Sequence, residues 1–405
     1  MKRFDLVIIG GSASGLTAAI NANRLHPNIK IAIFEQLPRL GKKILATGNG
    51  RCNMTNMNAF GHTYRNDEFA KSVFEKYPPE KVIDFFSSLG LLTYCDESAR
   101  VYPRSNTASS VIDCLRFEIE NSDIDVYTEL KVEKITSKDD GFLINDSFSC
   151  DKLIVACGGK ASPSQGSDGS MYPVLKKLGH SVTMLVPSLV PLNSRPENIK
   201  SVKGLRASNV FLTLEGKRNE YASKGEILFT DTGVSGIAAM ELASFAEREL
   251  RNGFDPILHI DFIPEYDKNE LAEYISRLAV IKQNQLLENL LTGILPKQIG
   301  IMLMKNAEIY ISDGRIGTMS ENMISLLVNE IKDFTLDILG TRGFANAQVT
   351  SGGIDISEIC SDSMKSKIIS NLYFCGEVAD VDGGCGGFNL QWAFASGLLA
   401  GELND

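Results

Sequence analysis

The feature that most constrains this chain lies at its start. Residues 4–9, Phe-Asp-Leu-Val-Ile-Ile, run directly into Gly10-Gly11-Ser12-Ala13-Ser14-Gly15. A short apolar run closed by glycine predicts a buried parallel strand. A helix is predicted from about Ser14 to Leu25 and a second strand over Lys30–Glu35, which together make a β-α-β unit. Gly10 and Gly15 hold the first and third glycine positions of G-x-G-x-x-G, with Ser12 at the second. Gly10 permits the tight strand-to-helix turn, and Gly15 lets helix and strand approach closely. Ser12, Ala13 and Ser14 are small, so the free N–H groups and positive end of the helix are open to a pyrophosphate. Glu35, about 20 residues beyond Gly15, is placed with its neighbour Gln36 to meet the ribose of a dinucleotide. This unit alone does not separate NAD from FAD.

The far end of the chain narrows the choice. Asn371–Cys375 predicts a strand that ends in Gly376-Glu377. Asp382, the pairs Gly383-Gly384 and Gly386-Gly387, and then Phe388-Asn389-Leu390 lead into a terminal helix ending near Glu402. A late strand ending in Gly-Glu is typical of FAD enzymes of this topology, with the acid near the ribityl chain. A helix N-terminus at Gly387–Leu390, facing the flavin N1–C2=O edge, would stabilise the negative charge that gathers there on reduction. FAD is therefore the expected cofactor. Gly158, which follows a predicted strand over Leu153–Ala156, is expected to line the same site.

At 405 residues the chain exceeds what one core usually serves. The predicted fold class is α/β: a Rossmann-like FAD-binding domain with an inserted region that has a β part and then a helical part. Residues 1–186 and 346–405 are expected to form the discontinuous FAD-binding domain, 187–266 the β-rich insertion and 267–345 the helical part. Residues 36–66, rich in Gly, Asn, Arg and Thr, read as a long functional loop. Helices are predicted near 67–76, 79–89 and 107–120, and strands near 124–135 and 141–148. Ile275, Leu278, Leu286, Leu287, Leu290 and Leu291 suggest helices running from about Asp267 to Leu339.

Leu40–Asn56, which reads Leu-Gly-Lys-Lys-Ile-Leu-Ala-Thr-Gly-Asn-Gly-Arg-Cys-Asn-Met-Thr-Asn, resembles the signature loop of the flavoprotein family called aminoacetone-oxidase-like or BaiN-like. Phe229–Gly236, Thr350–Ile354 and Gly376–Asn389 are similar to further blocks of that family, in the same order. The resemblance implies a Rossmann-like FAD-binding domain with an inserted β-barrel-like domain and a small helical domain, and an FAD- and NAD(P)-linked oxidoreductase. Ser12, and Asn49 where glycine is more usual, are its departures.

Lys42, Lys43 and Arg51 are either a solvated basic face or phosphate and flavin contacts; with the resemblance, Gly48, Arg51, Cys52 and Asn53 are expected to meet the cofactor. Arg342 is either a substrate anchor or a surface ion pair. The histidines, His26, His62, His180 and His259, form no recognisable acid–base pair, and no catalytic acid or base is assigned. The eight cysteines show no C-x-x-C pair, which predicts buried thiols without a zinc site. No second intact G-x-G-x-x-G is present, so a resident NAD(P)H is not expected, although transient docking as an electron donor stays open.

Hydride transfer between a small organic substrate and flavin N5 is the leading reading, as an oxidase or as an NAD(P)H-linked reductase. The alternatives are a flavin-dependent RNA-modifying enzyme and a non-catalytic flavin-binding protein. The net charge of −9 argues against a nucleic-acid partner. No run approaches the ~18 apolar residues of a membrane span, and a cytoplasmic location is expected. Oligomeric state is not legible.

Overall fold

The computed structural model describes residues 1–310, 312 and 314–404. Ile311 and Asp313, in the stretch expected to be helical, and Asp405 lie outside the described residues. In chain order the first elements are β1 (Lys2–Ile9), α1 (Ala13–Leu25), β2 (Ile31–Phe34), β3 (Thr55–Asn56), α2 (Asp67–Lys76), α3 (Pro79–Ser88), β4 (Thr93–Cys95), β5 (Arg100–Pro103), α4 (Ala108–Glu120), β6 (Ile124–Tyr127), β7 (Ile135–Lys138), β8 (Gly141–Ile144), β9 (Phe148–Val155) and α5 (Tyr172–Lys177). The chain passes through β10 (Val186–Ser188) to β11 (Leu192–Ser194), β12 (Arg206–Glu215), β13 (Glu220–Phe229), β14 (Gly233–Ser235), α6 (Ile237–Glu241), α7 (Ala243–Arg251), β15 (Ile257–Asp261), α8 (Lys268–Ile281), α9 (Lys297–Asn306), α10 (Glu321–Lys332) and β16 (Phe334–Thr341). It ends with β17 (Val349–Ser351), β18 (Leu372–Phe374) and α11 (Phe388–Ala400). Contacts divide these elements into two units, Met1–Val186 with Gln348–Asp405, and Pro187–Ala347.

The first unit is built on a seven-stranded sheet ordered β6-β2-β1-β9-β8-β7, with β18 also paired to β9. β1 runs parallel to β2 and β9, with Ile8 opposite Ile33 and Ile154. Both faces of β1 are covered, so Leu6, Val7 and Ile8 are wholly buried and the strand reads as a continuous apolar run. Besides β1, β9 serves two further partners. Its first residues pair antiparallel with β8, and Leu153–Val155 pair parallel with β18. The strand ends of β1, β9 and β18 therefore open on one edge, and the glycine segments after each of them meet there.

Behind that edge α1 packs on α11 almost backbone to backbone. A Cβ on Gly397 would lie 2.3 Å from Thr17 Oγ1 and 2.4 Å from the Ser14 carbonyl oxygen, and one on Gly401 would lie 2.6 Å from the Ala18 carbonyl oxygen. Small residues one helical turn apart on each helix make this approach feasible.

The loop expected over 36–66 contains a 3-10 turn at Ile44–Gly50, with β3 in a three-stranded sheet ordered β3-β5-β4. The strand read over 124–135 is two strands, β6 and β7, separated by residues 128–134.

The second unit contains a closed barrel, β11-β14-β13-β12-β15-β16, beside the helices α8, α9 and α10. The helical pattern read as far as Leu339 ends at Lys332. Phe334, Leu336 and Ile338 alternate with exposed Thr335, Asp337 and Leu339, a period of two that makes β16 a barrel strand. Leu286–Leu291 do not form a continuous helix; a 3-10 turn, Leu287–Asn289, carries Leu287, Leu290 and Leu291 into the core and leaves Leu286 exposed. On the barrel exterior His259 of β15 lies between Asp333, with Nδ1 to Oδ1 2.7 Å, and Glu215, with Nε2 to Oε2 3.3 Å.

Two outcomes follow from this packing. Replacing Gly397 by alanine forces Cβ against the α1 backbone, and G397A is expected to lose about 1–3 kcal/mol of stability, read as a lower denaturant midpoint. At His259, burial opposes the charged ring, but the hydrogen bonds and charges of Asp333 and Glu215 prevail and raise its pKa. A raised histidine pKa gives stability that is present below the ordinary value and is lost as pH rises through the folded value. The melting-temperature difference between wild type and H259Q is therefore expected to be largest near pH ~6, below the ordinary histidine value, and to shrink steadily as pH rises above it. A difference that is flat or grows with pH would show that the clasp carries no charge.

Candidate active site: a dinucleotide cradle

The open edge of the first unit is assembled from glycine turns that admit no side chain. Gly10 has φ 109°, and a Cβ there would lie 2.3 Å from the Ala156 carbonyl oxygen. A Cβ on Gly15 would stand 1.8 Å from the Gly10 carbonyl oxygen. The turn can therefore pass only at glycine. Ser12 caps α1 with extended backbone but no side-chain capping bond, and the first turn of α1 contains no acidic residue. The leading N–H groups of a helix have no partner within the helix, so those of α1 stand ready for an anion.

Glu35 ends the next strand at 7% exposure. Its Oε2 accepts from the Gly11 N–H at 2.8 Å and its Oε1 from the Leu37 N–H at 2.8 Å. Burial raises its pKa against the opposing effect of those backbone bonds. A carboxylate fixed in this way keeps lone pairs for two adjacent hydroxyls. Residues 162–169 lie beside it. Gln36 Nε2 donates to the Gly166 carbonyl oxygen at 2.6 Å, and Lys42 Nζ donates to that of Ser164 at 2.9 Å. Gly158 abuts this loop, since its Cβ would lie 3.1 Å from Ser167 Oγ.

Farther along, Lys43 Nζ and Glu377 Oε2 form a half-buried ion pair at 2.8 Å, and Glu377 Oε1 accepts from the Thr350 N–H at 2.9 Å. Thr350 Oγ1 accepts from the N–H groups of Lys160 at 2.7 Å and Ala161 at 2.9 Å. Gly376 has φ 75° and faces Ser14 Oγ, which lies 2.5 Å from the position its Cβ would take. The segment Gly48-Asn49-Gly50 is left-handed at all three residues. Asparagine tolerates that conformation better than most non-glycine residues, which accounts for its place in the loop. Asn53 Oδ1 is buried without a hydrogen-bond partner among the described residues. It lies 2.7 Å from where a Gly387 Cβ would be. Gly384–Leu390 are all half-buried, and α11 opens on Gly387 with no acid in its first turn.

These residues fit FAD. One helix N-terminus and a fixed acid suit a pyrophosphate and a ribose. A second helix N-terminus and an unpartnered buried amide oxygen suit the polar edge of a flavin.

Comparison with known proteins agrees. The family described as "HI0933-like protein Rossmann domain" matches residues 4–403. The chain belongs to this family. It is an FAD-binding oxidoreductase, and the likeness to aminoacetone-oxidase-like and BaiN-like proteins holds. It is similar to a "3-dehydro-bile acid delta(4,6)-reductase" of Clostridium scindens, 36% identical over 400 residues and covering 98% of this chain and 97% of that one. It is also similar to a "Ribosomal RNA dihydrouridine synthase" of Escherichia coli, 28% identical over 412 residues and covering 98% and 96%. In fold it resembles a 3-ketosteroid-delta4-(5alpha)-dehydrogenase of Rhodococcus jostii, with TM-score 0.50, 13% identity, and coverage of 100% and 97%.

Not every expected residue joins this member's cradle. Arg51 is exposed, and its guanidinium lies 4.8 Å from the Tyr102 ring centroid with Nε 3.5 Å from the Gly48 carbonyl oxygen. It is a brace of the loop, because stacking on an aromatic face suits a weakly hydrated cation. Cys52 is wholly buried, and burial pushes its thiol up to about 12. That makes it a core group, not a redox thiol. Lys42 is exposed. Arg342, in the barrel unit, bonds Asp231 Oδ1 at 2.8 Å and Thr232 Oγ1 at 3.0 Å, which matches the ion-pair alternative. Among the described residues no disulfide joins the cysteines, and no metal-binding cluster occurs. No helix among the described residues is long and apolar enough to cross a membrane.

Several cradle residues went unread in the sequence. Asp380, 2% exposed, is paired with Arg65 through Nε to Oδ1 and through NH2 to Oδ2 at 3.1 Å. Thr183 Oγ1 donates to the same carboxylate at 2.9 Å. His62 and Tyr64 lie against Phe388. The available signal was an acid, Asp380, set in the apolar stretch Val378–Val381, because a charge there needs a partner. R65M strands that carboxylate, and a loss of about 3 kcal/mol is expected. The double variant with D380N should recover part of it. Denaturant unfolding of the four proteins checks this, and additive losses would show the pair uncoupled.

Proposed function

We propose that this protein reduces a carbon–carbon double bond conjugated to a carbonyl, on a small organic substrate, with FAD as hydride carrier and NAD(P)H docking transiently as electron donor in the cytoplasm. The observation that carries the reading is what two relatives have in common. A delta(4,6)-reductase of a 3-dehydro bile acid and a dihydrouridine synthase both saturate a bond in conjugation with a carbonyl, on otherwise unrelated substrates. The higher identity to the bile acid enzyme, across nearly the whole chain, favours a small molecule over RNA. Saturating such a bond takes a hydride at the β carbon and a proton at the α carbon. Bound FAD, once reduced, supplies the hydride from N5.

The chain's own residues bind and orient. The Gly10–Gly15 turn and α1 hold the pyrophosphate, and Glu35 holds the ribose hydroxyls. The Lys43–Glu377 pair fixes the turn after β18 beside the ribityl chain. The N–H groups that open α11, with Asn53, meet the flavin edge where negative charge gathers. Residues 1–186 and 346–405 are the portion proposed to hold the cofactor.

Protein reconstituted with FAD and mixed anaerobically with NADH or NADPH is expected to lose its visible flavin absorbance. A 3-oxo steroid with a conjugated double bond should restore it, with the saturated steroid as product. Recovery with unmodified ribosomal RNA and not with the steroid would assign the RNA-modifying reading. Recovery only on admitting oxygen would make the protein an oxidase. No flavin absorbance after reconstitution would overturn the proposal.

A further inference from the structure

His62 follows the 3-10 turn Ala59–Gly61 and reaches the glycine loop before α11. Its Nε2 lies 2.9 Å from the Gly384 backbone nitrogen. A backbone N–H can only donate, so Nε2 holds a lone pair and the ring proton sits on Nδ1. The imidazole also lies flat on Phe388, with centroids 3.7 Å apart and planes at 7°. Tyr64 closes the edge of both rings, and its hydroxyl donates to the Phe388 carbonyl oxygen at 3.3 Å. One neutral side chain thus ties Gly384 to Phe388 across the turn from which the leading N–H groups of α11 emerge. Asn389 completes the tie, with its Oδ1 accepting from the Gly383 N–H and its Nδ2 donating to the carbonyl oxygens of Gly383 and Gly384.

Few charges bear on the ring. Asp67 and Lys71, paired with each other on α2, act in opposite senses. Between Gly383 and Asn389 the only titratable side chain is the Cys385 thiol. Burial is the larger influence and holds the imidazole below its ordinary value, so the acceptor form is the resting one at neutral pH.

We propose that His62 is a positioning residue for the flavin end of the cradle, and that its hydrogen bond from Gly384 makes FAD affinity acid-labile. The inference rests on the reading that the Gly376–Asn389 block holds FAD. Protonation leaves no lone pair on the ring, so the Gly384 N–H would face a second N–H. The stack on Phe388 survives in either state, because a cation over an aromatic face is also favourable. What changes is the loop before α11, and with it the aim of the helix N-terminus.

The test is the FAD dissociation constant, read by flavin fluorescence on wild type, H62Q and H62F from pH 8 to pH 5. Glutamine places a non-titrating acceptor near Nε2, whereas phenylalanine keeps the stack and removes the acceptor. Wild type is expected to weaken by about tenfold or more on acidification, as a lost hydrogen bond to a now-charged group implies. H62Q should bind tightly at pH 8 and keep only the slope that Glu35 contributes, and H62F should bind weakly throughout. An H62Q that loses as much affinity on acidification as wild type, or an H62F that matches wild type at pH 8, overturns the proposal. If wild type binds no FAD at any pH, the cofactor reading itself fails, and the wild-type titration alone reveals it.

Discussion

Helices α1 and α11 touch through their backbones at Gly397 and Gly401, and the cradle depends on that contact. In the proposed binding mode the N-terminus of α1 addresses one end of a dinucleotide and the N-terminus of α11 the other. Any side chain between the helices would change the separation of those two helix ends. The same contact fixes the turn after β18. The Gly376 N–H donates to Ser396 Oγ at 2.9 Å, and Trp392 Nε1–H donates to the Gly376 carbonyl oxygen at 2.9 Å. Gly376 also abuts Ser14 on α1. Two helices, one turn and one indole are therefore tied together, and preorganisation of this kind reduces what ligand binding must order.

Within that frame some buried polar atoms have no hydrogen-bond partner among the described residues: Asn53 Oδ1, Ser167 Oγ and the Tyr172 hydroxyl. Each costs about 1–3 kcal/mol if left unsatisfied. Asn53 and Ser167 lie beside Gly387 and Gly158, where side chains are excluded to leave room. The Tyr172 hydroxyl is within electrostatic reach of Glu377 and Asp380, and burial holds it firmly protonated. Under the proposed cofactor reading such groups would favour the ligand-bound state, and cofactor binding would then be coupled to folding stability in this unit.

What the sequence made legible was local. The Gly10–Gly15 turn, Glu35 and the Gly376–Asn389 block each declare their chemistry within a few residues, because a turn, a strand end and a helix start are short-range events. The pairs Arg65–Asp380 and His62–Gly384 join positions more than 300 residues apart, and neither partner carries a motif. β16 was misread for another reason. Leu336 and Leu339 continue the helical spacing of the preceding segment, while barrel closure selects the alternation of Phe334, Leu336 and Ile338. Arg51 was legible as a cation in a functional loop, but not as a brace on Tyr102, since that ring arrives from β5.

The cradle recognises its ligand through backbone N–H groups, a fixed carboxylate and the absence of side chains. None of these depends on the identity of a substrate. Relatives that share the fold over nearly their full length accordingly bear the names of a bile acid reductase and a ribosomal RNA enzyme. Residues outside the cradle are then left to distinguish one substrate from another.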